Sequence, residues 1–306
     1  MTIPVISITG PTASGKSSLA DEVASRLHTV VISADAMQVY IGMDIGTAKT
    51  PISERRVPLR LVDVVSPADS YSAALYQHDA RVVIDSLLAS GKQAVLCGGT
   101  GLYLRAALDE MEFPKGEVED ERRVRYQRMA EELGAEALHS LLREKDPVSA
   151  EQIHPNNVRR VVRALEMIDE GVSYAEQKAG FSIPRAHYDY ASFALAMDRE
   201  RLYKRIDDRV DCMIQQGLVD EVRGLVALGA ADAITSRQAI GYKELIDYLD
   251  GLCSLEDAIS LIKQRSRRYA KRQLSWCRRD SRTIWLDMDQ MTTEQAADFI
   301  LEKTGY

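Results

Sequence analysis

The sequence predicts an α/β fold, a parallel sheet flanked by helices, interrupted by a mainly helical insertion domain. Three observations carry this. Short β-branched runs alternate with helical stretches over the first third of the chain; no strand signal occurs between about 113 and 190; strand-like and helical segments return afterwards. Apolar strands alternating with helices imply a parallel sheet buried on both faces, with ligands at the carboxyl ends of its strands. The 306 residues exceed a typical single domain. The expected bounds are 1–112 with 191–306 for the core and 113–190 for the insertion.

Val5 to Ile8 is the first strand, ending at Gly10, and Ser17 to Leu27 follows as a helix with Leu19, Val23 and Leu27 at helical spacing. Val30 to Ile32 is a second buried strand that ends in Ser33-Ala34-Asp35, and a third is expected over Leu59 to Val65. A long helix runs from about Ser72 to Ser90, closed by Gly91. Ala94 to Cys97 is a strand that stops at Gly98-Gly99-Thr100-Gly101. In the insertion, Arg122 to Leu133 and Val158 to Ile168 read as amphipathic helices, the second starting after the cap candidates Asn156 and Asn157. A strand at Tyr190 to Met197, helices to about Trp276, a strand at Thr283 to Leu286 and a last helix complete the core.

Composition narrows the function classes. Lys and Arg number 39 against 46 Asp and Glu, a formal charge of −7, with 45% apolar residues. No run reaches the ~18 apolar residues of a membrane span, and no signal sequence precedes the first strand, so a cytoplasmic protein without a membrane partner is expected. Four scattered cysteines and five histidines lack zinc or disulfide spacing. The charge is uneven. Residues 263–282 hold nine Lys or Arg and one acid, a local +8 that leaves −15 elsewhere, which suits a polyanionic partner or a solvated helix face. Arg265, Arg268, Arg272 and Arg279 form one stripe there; Ile262, Tyr269 and Trp276 form an apolar one expected to enter the core.

Gly10-Pro11-Thr12-Ala13-Ser14-Gly15-Lys16-Ser17 fits G-x-x-x-x-G-K-[ST], between a strand and a helix. Such glycines let backbone amides turn toward phosphate oxygens at the positive end of the helix; Lys16 adds a point charge and the Ser17 hydroxyl can ligate Mg²⁺. The loop predicts a diphosphate group, not specifically ATP. Asp35, at the end of a buried strand, is placed to hold Mg²⁺ or act as a general base, against the plainer account of a cap or turn aspartate. In the loop Ala36-Met37-Gln38, Gln38 can read an adenine edge. Thr100, after two glycines, can donate to a phosphate oxygen. Arg159 and Arg163 share the polar face of the insertion's second helix.

Taken in order, GPTASGKS, SADAMQVYIGMDIGTAKT at 33–50, GGTGLYLRAAL at 98–108, IHPNNVRRVVRALE at 153–166, SRQAIGYKE at 236–244 and QRSRRYAKRQLSWCRR at 264–279 resemble the motifs of bacterial tRNA dimethylallyltransferases, also called tRNA isopentenyltransferases. The resemblance covers nearly the whole chain. It implies a P-loop NTPase-like α/β fold whose helical insertion grips the tRNA anticodon stem-loop, and transfer of a dimethylallyl group from dimethylallyl diphosphate to the exocyclic amine of adenosine 37, releasing diphosphate. It further implies that Gly10 to Ser17 hold the donor's diphosphate, that Asp35 is the base, that Thr100 bonds the leaving oxygen and that Arg237 binds the prenyl donor. Asp35, Ala36, Met37, Gln38, Thr100, Arg159, Arg160 and Arg163 match tRNA-contacting positions. A monomer using Mg²⁺ is expected. Ser17, Ala36, Asn157 and Cys277 stand where such proteins usually carry threonine, serine, aspartate and an aromatic residue.

Three rivals remain at this stage. A P-loop small-molecule kinase would use the same loop on ATP, but the one buried strand ending in a suitable aspartate is the one ending at Asp35. An adenylate isopentenyltransferase acting on free AMP or ATP would not need Arg159 and Arg163. A non-catalytic RNA-binding module would not need Lys16, Ser17, Asp35 and Thr100 together.

Overall fold

A computed structural model of the chain describes residues 2–113, 121–228 and 239–306. It divides into two units, one built from residues 1–109 and 186–306, the other from residues 110–185.

The first unit contains a six-stranded sheet. Its strands are β1 (Val5–Thr9), β2 (Val31–Ser33), β3 (Leu59–Arg60), β4 (Ala94–Gly98), β5 (Tyr190–Ala196) and β6 (Thr283–Asp287), in the order β3-β2-β4-β1-β5-β6. Every pairing is parallel. All five β1 residues are buried, as a strand covered on both faces requires. One face packs Ile6 and Ile8 against α1 (Lys16–Arg26) and α13 (Thr293–Thr304). The opposite face carries α2 (Ala73–Ala89), α3 (Gly101–Leu108), α10 (Leu218–Ala227), α11 (Tyr242–Leu249) and α12 (Leu255–Cys277), with α9 (Arg199–Gln215) packed on α12. Ser72 caps α2 by accepting from the Leu75 amide, and Gly91 takes the left-handed conformation after its end.

The strand expected over Leu59 to Val65 is only two residues long. Leu61 and Asp63 take positive φ (57° and 55°), which no strand accommodates, and pairing resumes only as an isolated Tyr40–Val65 bridge. The basic helix also stops at Cys277, so Arg279 lies beyond it rather than on its stripe.

The unit closes across its sequence gap by a short antiparallel contact. Asp109 bridges Ala186, and the His187 amide donates to the Leu108 carbonyl at 2.8 Å. The second unit is helical throughout its described residues: α4 (Glu121–Leu133), α5 (Ala135–Lys145), α6 (Pro147–Gln152), α7 (Val158–Asp169) and α8 (Tyr174–Ser182). Leu138, Leu142, Val161 and Leu165 are among its own core residues. Asn157 caps α7 through the Arg160 amide.

Candidate active site

Loops after β1, β2 and β4 meet over a cleft of about 780 Å³ lined by Thr12, Lys16, Ser17, Ser33, Asp35, Gln38, Cys97 and Gly98 among others. Gly10, Ala13 and Gly15 take positive φ, which turns the loop back on itself before α1. Gly15 supplies no side-chain cap, so the first-turn amides of α1 stay available to an anion. Within the loop the Ser14 hydroxyl is buried without a protein partner among the described residues, an orphan that a phosphate oxygen would satisfy. Lys16 Nζ donates to the Pro11 carbonyl at 3.4 Å. Burial pulls the Lys16 ammonium below the ordinary lysine value; the Cys97 thiol opposes this, Arg209 adds to it and Asp35 opposes it. Burial pushes the Cys97 thiol up to about 11, which keeps it protonated.

Asp35 Oδ1 accepts from the Met37 amide at 2.9 Å, while no protein donor among the described residues engages Oδ2. Thr100 stands at the N-cap position of α3 without capping it through its side chain; its Oγ accepts instead from the Ala36 amide at 3.0 Å, and its hydroxyl proton faces the Tyr269 hydroxyl at the cleft. That bond ties the β4 loop to the β2 loop. Gly98 is required for the approach, because a Cβ there would lie 2.1 Å from the Ala34 carbonyl oxygen. The Gln38 amide is held in one orientation: Ser33 Oγ donates to its Oε1 at 2.9 Å and its Nε2 donates to the Thr47 carbonyl at 3.1 Å.

Several cleft residues escaped the sequence reading. Arg205 and Arg209, one turn apart on α9, hold the phosphate loop through the Ala13 carbonyl (2.8 Å) and Thr12 Oγ (3.5 Å), and Arg209 lines the cleft. Gln273 on α12 accepts from the Thr12 amide at 2.8 Å and donates to the Gly99 carbonyl at 3.0 Å. Tyr269, expected in the core, lines the cleft instead, with its hydroxyl beside Thr100; burial, then the Asp35 charge, pushes it up to about 12. Of the expected cationic stripe, Arg265 is taken up by buried Glu244, and neighbouring Arg267 by Asp207 at 2.5 Å. The segment around Thr47 is braced from below. Buried Lys49 bonds the Tyr40 carbonyl, Asp44 and Asp63, and Glu221 accepts from the amides of Asp44, Ile45 and Gly46.

The remaining site expectations lie elsewhere. Arg237 falls outside the described residues. In the helical unit Arg159 and Arg160 are exposed on α7, whereas Arg163 is half-buried and pairs at 3.2 Å with Glu166, which Arg123 also grips at 2.5 and 3.0 Å.

Residues 38–280 match the family described as IPP transferase. The tRNA dimethylallyltransferase of Exiguobacterium sp. is 46% identical, with 95% of this chain and 92% of that protein covered. That of Carboxydothermus hydrogenoformans is 42% identical, covering 100% and 98%. Among solved structures, the full-length tRNA isopentenylpyrophosphate transferase of Bacillus halodurans superimposes with a TM-score of 0.73 at 40% identity, covering 99% and 97%. A eukaryotic dimethylallyltransferase acting on tRNA gives 0.80 at 28% identity, covering 97% of this chain and 77% of that one.

Proposed function

The chain belongs to the IPP transferase family, and from that membership and the cleft together we infer that it transfers a dimethylallyl group from dimethylallyl diphosphate to the exocyclic amine of adenosine 37 of tRNA. The observation that carries the reading is the convergence of Lys16, Asp35 and the Ala36-bonded Thr100 from three strand ends.

The loop from Gly10 to Ser17 binds the donor's diphosphate, with the orphaned Ser14 hydroxyl, the α1 amides and Lys16 meeting its oxygens. The adenine amine is a weak nucleophile because its lone pair is delocalised into the ring. As its nitrogen bonds the allylic carbon and the carbon–oxygen bond breaks, Asp35 Oδ2 takes the amine proton. Negative charge then gathers on the departing diphosphate, where Lys16, Arg209 and the Thr100 hydroxyl stabilise it. Mg²⁺ would neutralise further diphosphate charge, and the donor set suits it. Ser17 and Asp35 line the cleft with hard oxygens, the donor type suited to a metal that takes most of its ligands from phosphate and water. Exposed Arg159 and Arg160 meet the phosphates of the anticodon stem-loop, while Arg163, paired with Glu166, braces the helix that carries them, and Gln38 reads the adenine. No helix among the described residues is long and apolar enough to cross a membrane; we place the reaction in the cytoplasm, on a monomer.

The test is transfer of label from dimethylallyl diphosphate, with Mg²⁺, to tRNA or to AMP offered separately. Label in tRNA alone is expected. Label in AMP would favour an adenylate acceptor, and label in neither, with ATP turnover, would favour a kinase.

A further inference from the structure

Asp109 ends α3 at the pole opposite Thr100 and is fully buried. Its Oδ1 accepts from Arg282 Nη1 at 2.7 Å and from the Tyr190 hydroxyl at 3.1 Å; its Oδ2 accepts from Arg282 Nη2 and from Arg105 Nε, both at 2.9 Å. Its carbonyl accepts from Arg81 Nη2 at 2.7 Å. Arg282 is held in turn by Asp280. Buried charge clusters of this kind add little stability over apolar packing of the same volume.

The elements tied to Asp109 run to the cleft. Arg282 follows α12, which carries Tyr269 and Gln273. Arg81 and Gln77 of α2 hold the last carbonyls of α3 at Ala106 and Ala107. At the other end a Cβ on Gly101 would lie 2.3 Å from the Trp276 ring, so α12 bears directly on the first turn. The eight-residue helix, about 12 Å long, is thus held at both ends.

We propose that Asp109 is a positioning residue for the transfer reaction, holding α3 so that the Thr100 hydroxyl at its far end stands in register with Asp35. The proposal rests on the role given to Thr100 above. Asp109→Asn keeps the size and breaks the charge pairing. It is expected to lower kcat by about tenfold while KM for dimethylallyl diphosphate and for tRNA stays within about twofold. In a Thr100→Val background the same change should cost less than about twofold, because the group it positions is gone. Equal losses in both backgrounds overturn the proposal, as does a Thr100→Val variant with wild-type kcat. An activity-independent measurement separates it from the functional reading. The Ala36 amide, bonded to Thr100 Oγ, should exchange its hydrogen about tenfold faster in Asp109→Asn while β1 amides do not change. Unchanged exchange at Ala36 overturns the proposal even if tRNA is prenylated, whereas faster exchange without any prenylation sinks only the functional reading. If Asp109→Asn does not fold, Arg282→Lys, which keeps the cation but cannot form the paired hydrogen bonds, carries the same measurements.

Discussion

Asp35→Asn is the sharpest test of the chemistry, because the structure separates the two oxygens of this carboxylate. Oδ1 is spent on the Met37 amide at 2.9 Å, a bond that asparagine's amide oxygen reproduces, so the turn from Ser33 to Gln38 should survive. Only the Oδ2 side changes, from a proton acceptor to an amino group. Loss of a general base costs about 10²–10⁴-fold in rate, or about 2.8–5.6 kcal/mol of barrier at ~1.4 kcal/mol per decade. Single-turnover transfer from labelled dimethylallyl diphosphate to tRNA, run at several Mg²⁺ concentrations with both substrates saturating, measures that step alone. Both substrates should still bind. A rate restored by raised Mg²⁺ would make Asp35 a metal organiser, since metal cannot replace a lost base. Near-normal transfer at ordinary Mg²⁺ would refute both roles.

Two further outcomes follow from the geometry. The affinity for tRNA should fall steeply with salt despite the acidic total, and Arg160→Ala, by leaving one RNA phosphate un-neutralised, should flatten the slope of log affinity against log salt by about 0.7–0.9; unchanged slopes in both Arg159→Ala and Arg160→Ala would remove α7 from the RNA interface. Gly98→Ala should destabilise the fold by about 1–3 kcal/mol or more and depress transfer, since the new Cβ would lie 2.1 Å from Ala34, beside Asp35. Gly180→Ala in α8, where nothing lies within 4 Å, is the control, and equal melting temperatures for the two variants would discredit the packing argument.

The phosphate loop, Asp35 and Thr100 were legible because each sits directly after a buried strand, where chain position alone assigns the sheet edge. Arg205 and Arg209 were not. They reach the loop from nearly two hundred residues away, on a helix rich in both signs of charge, where no local pattern distinguishes a cleft arginine from a solvated one. The basic strip misled for a related reason. The acids that claim Arg265 and Arg267, Glu244 and Asp207, belong to α11 and α9 and leave no trace in the strip itself. Periodicity put Tyr269 on an apolar stripe, but a stripe reports burial, and a cleft wall is nearly as buried as a core. The shortened third strand reflects Asp63, whose left-handed backbone serves its pairing with Lys49.

The antiparallel contact that joins Asp109 to Ala186 has a polymer-physics consequence. Seen from the sheet, the whole excursion between these residues is a loop whose ends are already clasped, and the entropy of closing a loop grows only with the logarithm of its length. Lengthening, trimming or exchanging what lies between them therefore perturbs the α/β unit little. The clasp makes the excursion a replaceable attachment, whose length and sequence are free to vary without loosening the sheet that carries the cleft.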